Sequence, residues 1–156
     1  MDEAARVIRR LTEQGKTLAT AESCTGGLLG KLLTDVPGAS AVYLGGVISY
    51  AYAVKEALLG VDKALLREKG AVCEEVAIQM AQGARQRLGA DFALSTTGNA
   101  GPGADEKNPK VGEIYIALAY QGGSLCKKLT LHGNREENRF EACKAVLRLL
   151  LEHCNS

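Results

Sequence analysis

With 156 residues, 46% of them hydrophobic and 24% charged, the chain is long enough to bury its own core as one compact domain over 1–156, without disulfide or metal staples. Its 19 basic and 18 acidic side chains nearly cancel, so the basic footprint of a nucleic-acid-binding protein is excluded. The opening Met-Asp-Glu-Ala-Ala-Arg is charged and runs into an amphipathic pattern, so neither a signal peptide nor a membrane span is expected, and the expected location is the cytoplasm.

In chain order, Ala4, Val7, Ile8 and Leu11 recur at helical spacing, and Gly15 stops that pattern before residues 17–21, a short buried strand. After the turn Ser23-Cys24-Thr25-Gly26-Gly27, Leu28, Leu29, Leu32 and Leu33 mark a second helix that ends near Pro37-Gly38. Residues 42–50 read as the next strand. Residues 51–89 read as helical with a break at Gly70-Ala71-Val72, and the stretch 74–88 forms a longer amphipathic helix whose N-cap position holds Cys73, a poor capping residue. Strands are predicted over 92–97, 113–120 and 124–131, the last two joined by a hairpin turn at Gln121-Gly122-Gly123. A closing helix over 135–153 starts at Asn134 with Glu137 in capping-box position and carries the stripe Phe140, Cys143, Val146, Leu147 and Leu150. Helices alternating with strands, plus one hairpin, predict a three-layer α/β/α sandwich on a mixed, mostly parallel sheet of about five strands.

The five cysteines, at 24, 73, 126, 143 and 154, are odd in number and never spaced C-x-x-C, which argues for free thiols in a reducing compartment. Cys24 reads either as a small buried hydrophobe or as a reactive thiol in a glycine-rich turn. His132 and His153 lie far apart without cysteine or carboxylate companions, so no metal site is expected and both histidines read as surface or end-of-element residues.

Three segments fall at the ends of predicted strands, where open α/β sheets place their ligands. In Ala21-Glu22-Ser23-Cys24-Thr25-Gly26-Gly27 the glycines let backbone approach a ligand, and the next helix presents N–H groups to an anion, although a strand-to-helix turn needs small residues in any case. Thr96-Thr97-Gly98-Asn99-Ala100-Gly101-Pro102-Gly103 opens a long irregular connection that fits either a ligand loop or an ordinary surface loop, and matches no phosphate-loop or dinucleotide fingerprint. The stretch 36–55 sets Ser40 just before a strand, Tyr50 at its end and Lys55 early in the following helix. A serine becomes a nucleophile when a neutral lysine takes its proton, and a tyrosine between them can relay the proton or donate to an oxyanion; the same residues also serve as turn, strand end and solvated charge.

Taken together, Ala21 to Gly27, Gly45-Gly46-Val47-Ile48-Ser49-Tyr50 with Lys55, Gly70-Ala71-Val72, and Thr97-Gly98-Asn99-Ala100-Gly101-Pro102 resemble the CinA C-terminal domain family, from about Thr17 to Leu150 and in family order. Its stand-alone members are nicotinamide-nucleotide amidases. The resemblance implies hydrolysis of nicotinamide mononucleotide to nicotinate mononucleotide and ammonia, without metal or other cofactor, by Ser40 as nucleophile, Lys55 as its base and Tyr50 as relay or oxyanion partner. It implies a substrate site built from Glu22, Ser23, Thr25, Gly26, Gly45, Gly46, Thr97, Gly98, Asn99 and Gly101. Arg135 and Arg139, in Gly133-Asn134-Arg135 to Arg139, would take the phosphate or simply solvate the last helix.

Cys73 stands where relatives usually carry serine, and Asn99, where an aliphatic residue is commoner, would change how the second loop meets its ligand. Relatives often carry a further N-terminal domain, whose activity is not expected from these residues. The resemblance also suggests a homodimer or larger homo-oligomer. A non-catalytic nucleotide-binding module of the same fold, and an amidase for another small carboxamide, are the competing functions.

Overall fold

Period-two alternation on the first strand sets the layers of the computed structural model, which describes residues 1–155. Strand β1 (Leu18–Glu22) points Leu18 into a cluster with Val7 and Leu11 of helix α1 (Glu3–Gln14), Leu29 and Leu33 of α2 (Leu28–Thr34), and Val146 and Leu150 of α6 (Arg135–Cys154). Ala19 and Ala21 point the other way, into a cluster with Val76, Met80 and Ala84 of α5 (Glu74–Leu88). Leucines on one face and alanines on the other let α5 lie close to the sheet.

The remaining strands are β2 (Tyr43–Ile48), β3 (Phe92–Gly98), β4 (Glu113–Tyr120) and β5 (Gly123–Thr130), in the sheet order β2-β1-β3-β4-β5. β1 pairs in parallel with β2 and β3, and β4 pairs antiparallel with β3 and β5, so β4 alone runs against the others. This is the three-layer, mixed and mostly parallel architecture that the element pattern predicts. The capping box at Asn134 is formed, and Cys73 makes no side-chain capping bond.

One boundary escapes sequence periodicity. The helical stretch before Gly70 divides at Gly60, which takes φ +69 and closes α3 (Tyr52–Leu59); Asp62 then caps α4 (Lys63–Lys69) by accepting from the amides of Ala64 and Leu65. The apolar spacing runs across this join, and only the left-handed glycine and the capping acid mark it. Further along, a Cβ at Gly83 of α5 would lie 1.9 Å from the Leu59 carbonyl oxygen, so α3 and α5 meet backbone to backbone. That contact fixes α3 beside the sheet.

In the parallel pairings Glu22 aligns with Ile48 and with Thr96, so the connections leaving β1, β2 and β3 emerge side by side at one edge.

Candidate active site

A cleft of about 330 Å³ opens at that edge, lined by Ser23 and Cys24 after β1, Tyr50, Tyr52 and Lys55 around the start of α3, Ala71 and Val72 before α5, residues 97–100 and 103–105 after β3, and Arg135. Lys55 has no solvent exposure and is the largest fully buried side chain of the described residues. Its Nζ lies 2.9 Å from Ser23 Oγ, 2.6 Å from the Ser49 carbonyl oxygen and 3.1 Å from the Tyr50 carbonyl oxygen. Burial pushes its pKa down to about 8, against smaller upward effects of Cys24 and Asp105. Carbonyl oxygens only accept, so a neutral amine gives them its two N–H groups and turns its lone pair to the Ser23 hydroxyl.

Ser23 is held by its own amide, which donates to the Thr96 carbonyl at 3.0 Å, and by its carbonyl, which accepts from Gly26 N at 3.1 Å. Its neighbour Cys24 is buried, and that burial lifts the thiol to about 12, which leaves it uncharged near neutrality. Of the two adjacent nucleophile types, the serine is therefore the one with a base at hydrogen-bond distance.

Glu22, expected to contact substrate, is committed to the fold. Its Oε1 accepts from Thr25 Oγ1 at 2.6 Å, Gly27 N at 3.1 Å and Leu29 N at 2.9 Å, and its Oε2 accepts from Gly30 N at 3.0 Å. The N–H groups expected to meet an anion at the start of α2 are thus taken by this carboxylate. Glu22→Gln is expected to cost about 1–3 kcal/mol of stability, read from the urea midpoint. A substrate-contacting residue would instead change affinity and leave that midpoint in place.

Thr25 is likewise internal, its Oγ1 paired with Thr96 Oγ1 at 2.7 Å and its carbonyl accepting from Arg139 Nη2 at 2.8 Å. Gly26 is exposed beside that arginine, where a Cβ would lie 3.0 Å from Arg139 Nη2. Thr97 and Gly98 line the cleft, with Thr97 Oγ1 donating to the Ala71 carbonyl at 2.8 Å. Asn99 braces the long loop: its Nδ2 donates to the carbonyls of Asn108 and Lys110, and its Oδ1 accepts from Asp105 N. An aliphatic residue there would leave all three backbone groups without that partner.

Arg135 donates from Nη1 to the Gly101 carbonyl at 2.8 Å and lies 3.4 Å from Tyr50 Oη. Neither Arg135 nor Arg139 merely solvates its helix: Arg135 clamps the Gly101 carbonyl in the cleft lining, and Arg139 clamps the Thr25 carbonyl outside that lining. Nε of Arg139 is buried with no hydrogen-bond partner.

The structure does not bring Ser40 to Lys55. Ser40 is exposed in the 3-10 turn Ala39–Ala41, before β2, whereas Lys55 follows the far end of that strand; Ser40 lines a separate depression with Thr34, Pro37 and Tyr43. Gly45 and Gly46 sit within β2 and do not line the cleft. A Cβ at Gly46 would lie 2.1 Å from Thr20 Oγ1, so packing against β1 accounts for that glycine. Tyr50 is 64% exposed, and it is its backbone carbonyl, not the phenol, that meets Lys55. Sequence reading missed Tyr52 and Asp105, whose carboxylate accepts a hydrogen bond from the Tyr52 phenol. The spacing of Tyr52 to Lys55, three residues on one helix face, was the available signal.

The described residues contain no group of three or more His, Cys, Asp or Glu placed to hold a metal ion, and no helix among them is long and apolar enough to cross a membrane.

A family model described as the CinA C-terminal domain matches residues 2–154. A CinA-like protein of Geotalea uraniireducens is 51% identical over 127 residues, 81% of this chain and 30% of the relative, and one of Geobacter sulfurreducens is 50% identical over 133 residues, 85% of this chain and 32% of the relative. The chain thus spans about a third of the length of these curated relatives. Among solved structures, the competence/damage inducible protein CihA from Agrobacterium tumefaciens superposes with TM-score 0.92 at 38% identity, covering 99% of this chain and 94% of that one. A CinA superfamily protein from Escherichia coli gives TM-score 0.92 at 30% identity, covering 96% of this chain and 87% of that one.

Proposed function

This chain belongs to the CinA C-terminal domain family, and from its buried lysine–serine pair we propose that it hydrolyses the carboxamide of nicotinamide mononucleotide to nicotinate mononucleotide and ammonia. The observation that carries the reading is the fully buried Lys55, whose Nζ has two carbonyl acceptors and the hydroxyl of Ser23. Ser23 replaces Ser40 as nucleophile in this proposal.

Neutral Lys55 takes the Ser23 proton as Oγ attacks the carboxamide carbon. The backbone amide of Cys24, which follows the nucleophile in the cleft lining, donates to the developing oxyanion. Lys55 then passes its proton to the amide nitrogen, the C–N bond breaks, and ammonia leaves an ester on Ser23. A water that gives its proton to Lys55 attacks this ester, and the proton returns to Ser23 Oγ as nicotinate mononucleotide departs.

Arg135 in the cleft lining, with Arg139 one turn further along α6, attracts the phosphate, and the Tyr50 phenol helps to set Arg135 rather than relaying the proton. The protein is taken to act in the cytoplasm as a homodimer or larger homo-oligomer.

Incubation of the purified protein with nicotinamide mononucleotide is expected to release ammonia and nicotinate mononucleotide in equal amounts, at the same rate with and without EDTA. Absence of ammonia overturns the reading. Loss of activity on chelation, restored by zinc, would replace the serine mechanism with a metal-assisted one.

A further inference from the structure

The cleft lining contains a single acid, Asp105, against two bases, Lys55 and Arg135. Asp105 is a half-buried residue of the long loop after β3, and two hydrogen bonds hold its carboxylate. Oδ1 accepts from Lys107 N at 2.9 Å, and Oδ2 accepts from the phenol of Tyr52, which stands one helical turn before Lys55 on α3. Its own amide donates to Asn99 Oδ1 at 2.9 Å. Gly70 makes the space: a Cβ there would lie 2.5 Å from Asp105 Oδ1 and 3.1 Å from Tyr52 Oη. Burial and the carboxylate together push the Tyr52 phenol up to about 12, so it remains an O–H donor.

A carboxylate in this position works against the base. Its charge favours the ammonium form of Lys55, the form that cannot accept a proton. It also repels phosphate. Its placement makes chemical sense when the ligand brings a positive charge, which the carboxylate attracts and which offsets its field on Lys55. A ring-alkylated pyridinium carries that charge, and each carboxylate oxygen retains lone-pair capacity beyond its one donor from this chain.

We infer that Asp105 is the counter-ion by which the cleft selects cationic, ring-alkylated aromatic carboxamides over uncharged ones of the same shape. This rests on the proposed amidase reading for the carboxamide, but its test needs no turnover. The pair 1-methylnicotinamide and 3-methylbenzamide has the same outline and carboxamide and differs in the charge on the ring. Ligand-observed NMR titration of the Ser23→Ala protein at low salt is expected to show about tenfold tighter binding of the cation. Adding Asp105→Asn, which keeps shape and an acceptor oxygen, is expected to reduce this preference to about onefold while the affinity for 3-methylbenzamide changes less than about twofold.

Equal binding of the two ligands to Ser23→Ala, binding of neither, or a preference that survives Asp105→Asn each overturns the inference. So does an equal loss for both ligands, which would make Asp105 only a brace for its loop. A protein that prefers the cation but releases no ammonia from nicotinamide mononucleotide would sink the amidase reading and leave the counter-ion in place.

Discussion

Lys55→Arg is expected to lower kcat/KM by at least about 10³-fold while keeping a positive charge at the position. Guanidinium stays protonated throughout the accessible pH range, so it can donate to the Ser49 and Tyr50 carbonyls but cannot take the Ser23 proton. Far-UV circular dichroism and the thermal midpoint separate this loss from unfolding. The native enzyme provides the matching pH profile. The active form is the neutral amine, and burial sets the Lys55 pKa at about 8, so kcat/KM rises with pH and levels off above that value. At pH 6 about one molecule in a hundred carries the neutral amine, and kcat/KM should be about a hundredfold below the plateau. A cationic substrate does not alter this free-enzyme limb, but in the complex it shifts the kcat limb to lower pH, because a second positive charge disfavours the ammonium. A profile flat from pH 6 to 9 would make Lys55 a binding charge and remove the base from the mechanism.

How much of this was legible in the sequence divides along physical lines. The layers follow from local rules: Leu18 against Ala19 and Ala21 fixes two faces by alternation, and Asn134 with Glu137 announces the start of α6. The site depends on which strand ends lie side by side, and no periodicity encodes that. Ser40 and Ser23 are both serines close to a predicted strand. Sequence proximity favours Ser40, fifteen positions before Lys55, whereas the parallel β1–β2 pairing brings Ser23 to the lysine from 32 positions away. Glu22 illustrates the opposite error. An acid in a glycine-rich turn suggests ligand chemistry, yet its two oxygens accept from one hydroxyl and three amides of the helix it precedes. Tyr52 and Asp105 lie 53 positions apart, and only the fold puts the phenol on the carboxylate.

The second large effect separates the two serines. Removing a nucleophile from a serine–base pair typically costs about 10⁴–10⁶ in turnover, because the remaining groups can only orient a water molecule. Ser23→Ala removes one buried hydroxyl while leaving the Ser23 backbone bonds to Thr96 and Gly26 intact, so fold and substrate binding should persist. Ser40→Ala removes a hydroxyl from an exposed turn at the opposite end of β2 from Lys55 and should leave both rate and stability unchanged. The most direct measurement is ammonia release from nicotinamide mononucleotide by the two variants beside the native protein, at a pH on the plateau. A native rate for Ser40→Ala together with at least about 10⁴-fold loss for Ser23→Ala is the result expected from the Lys55–Ser23 pair. A native rate for Ser23→Ala, or the loss appearing in Ser40→Ala instead, would contradict it.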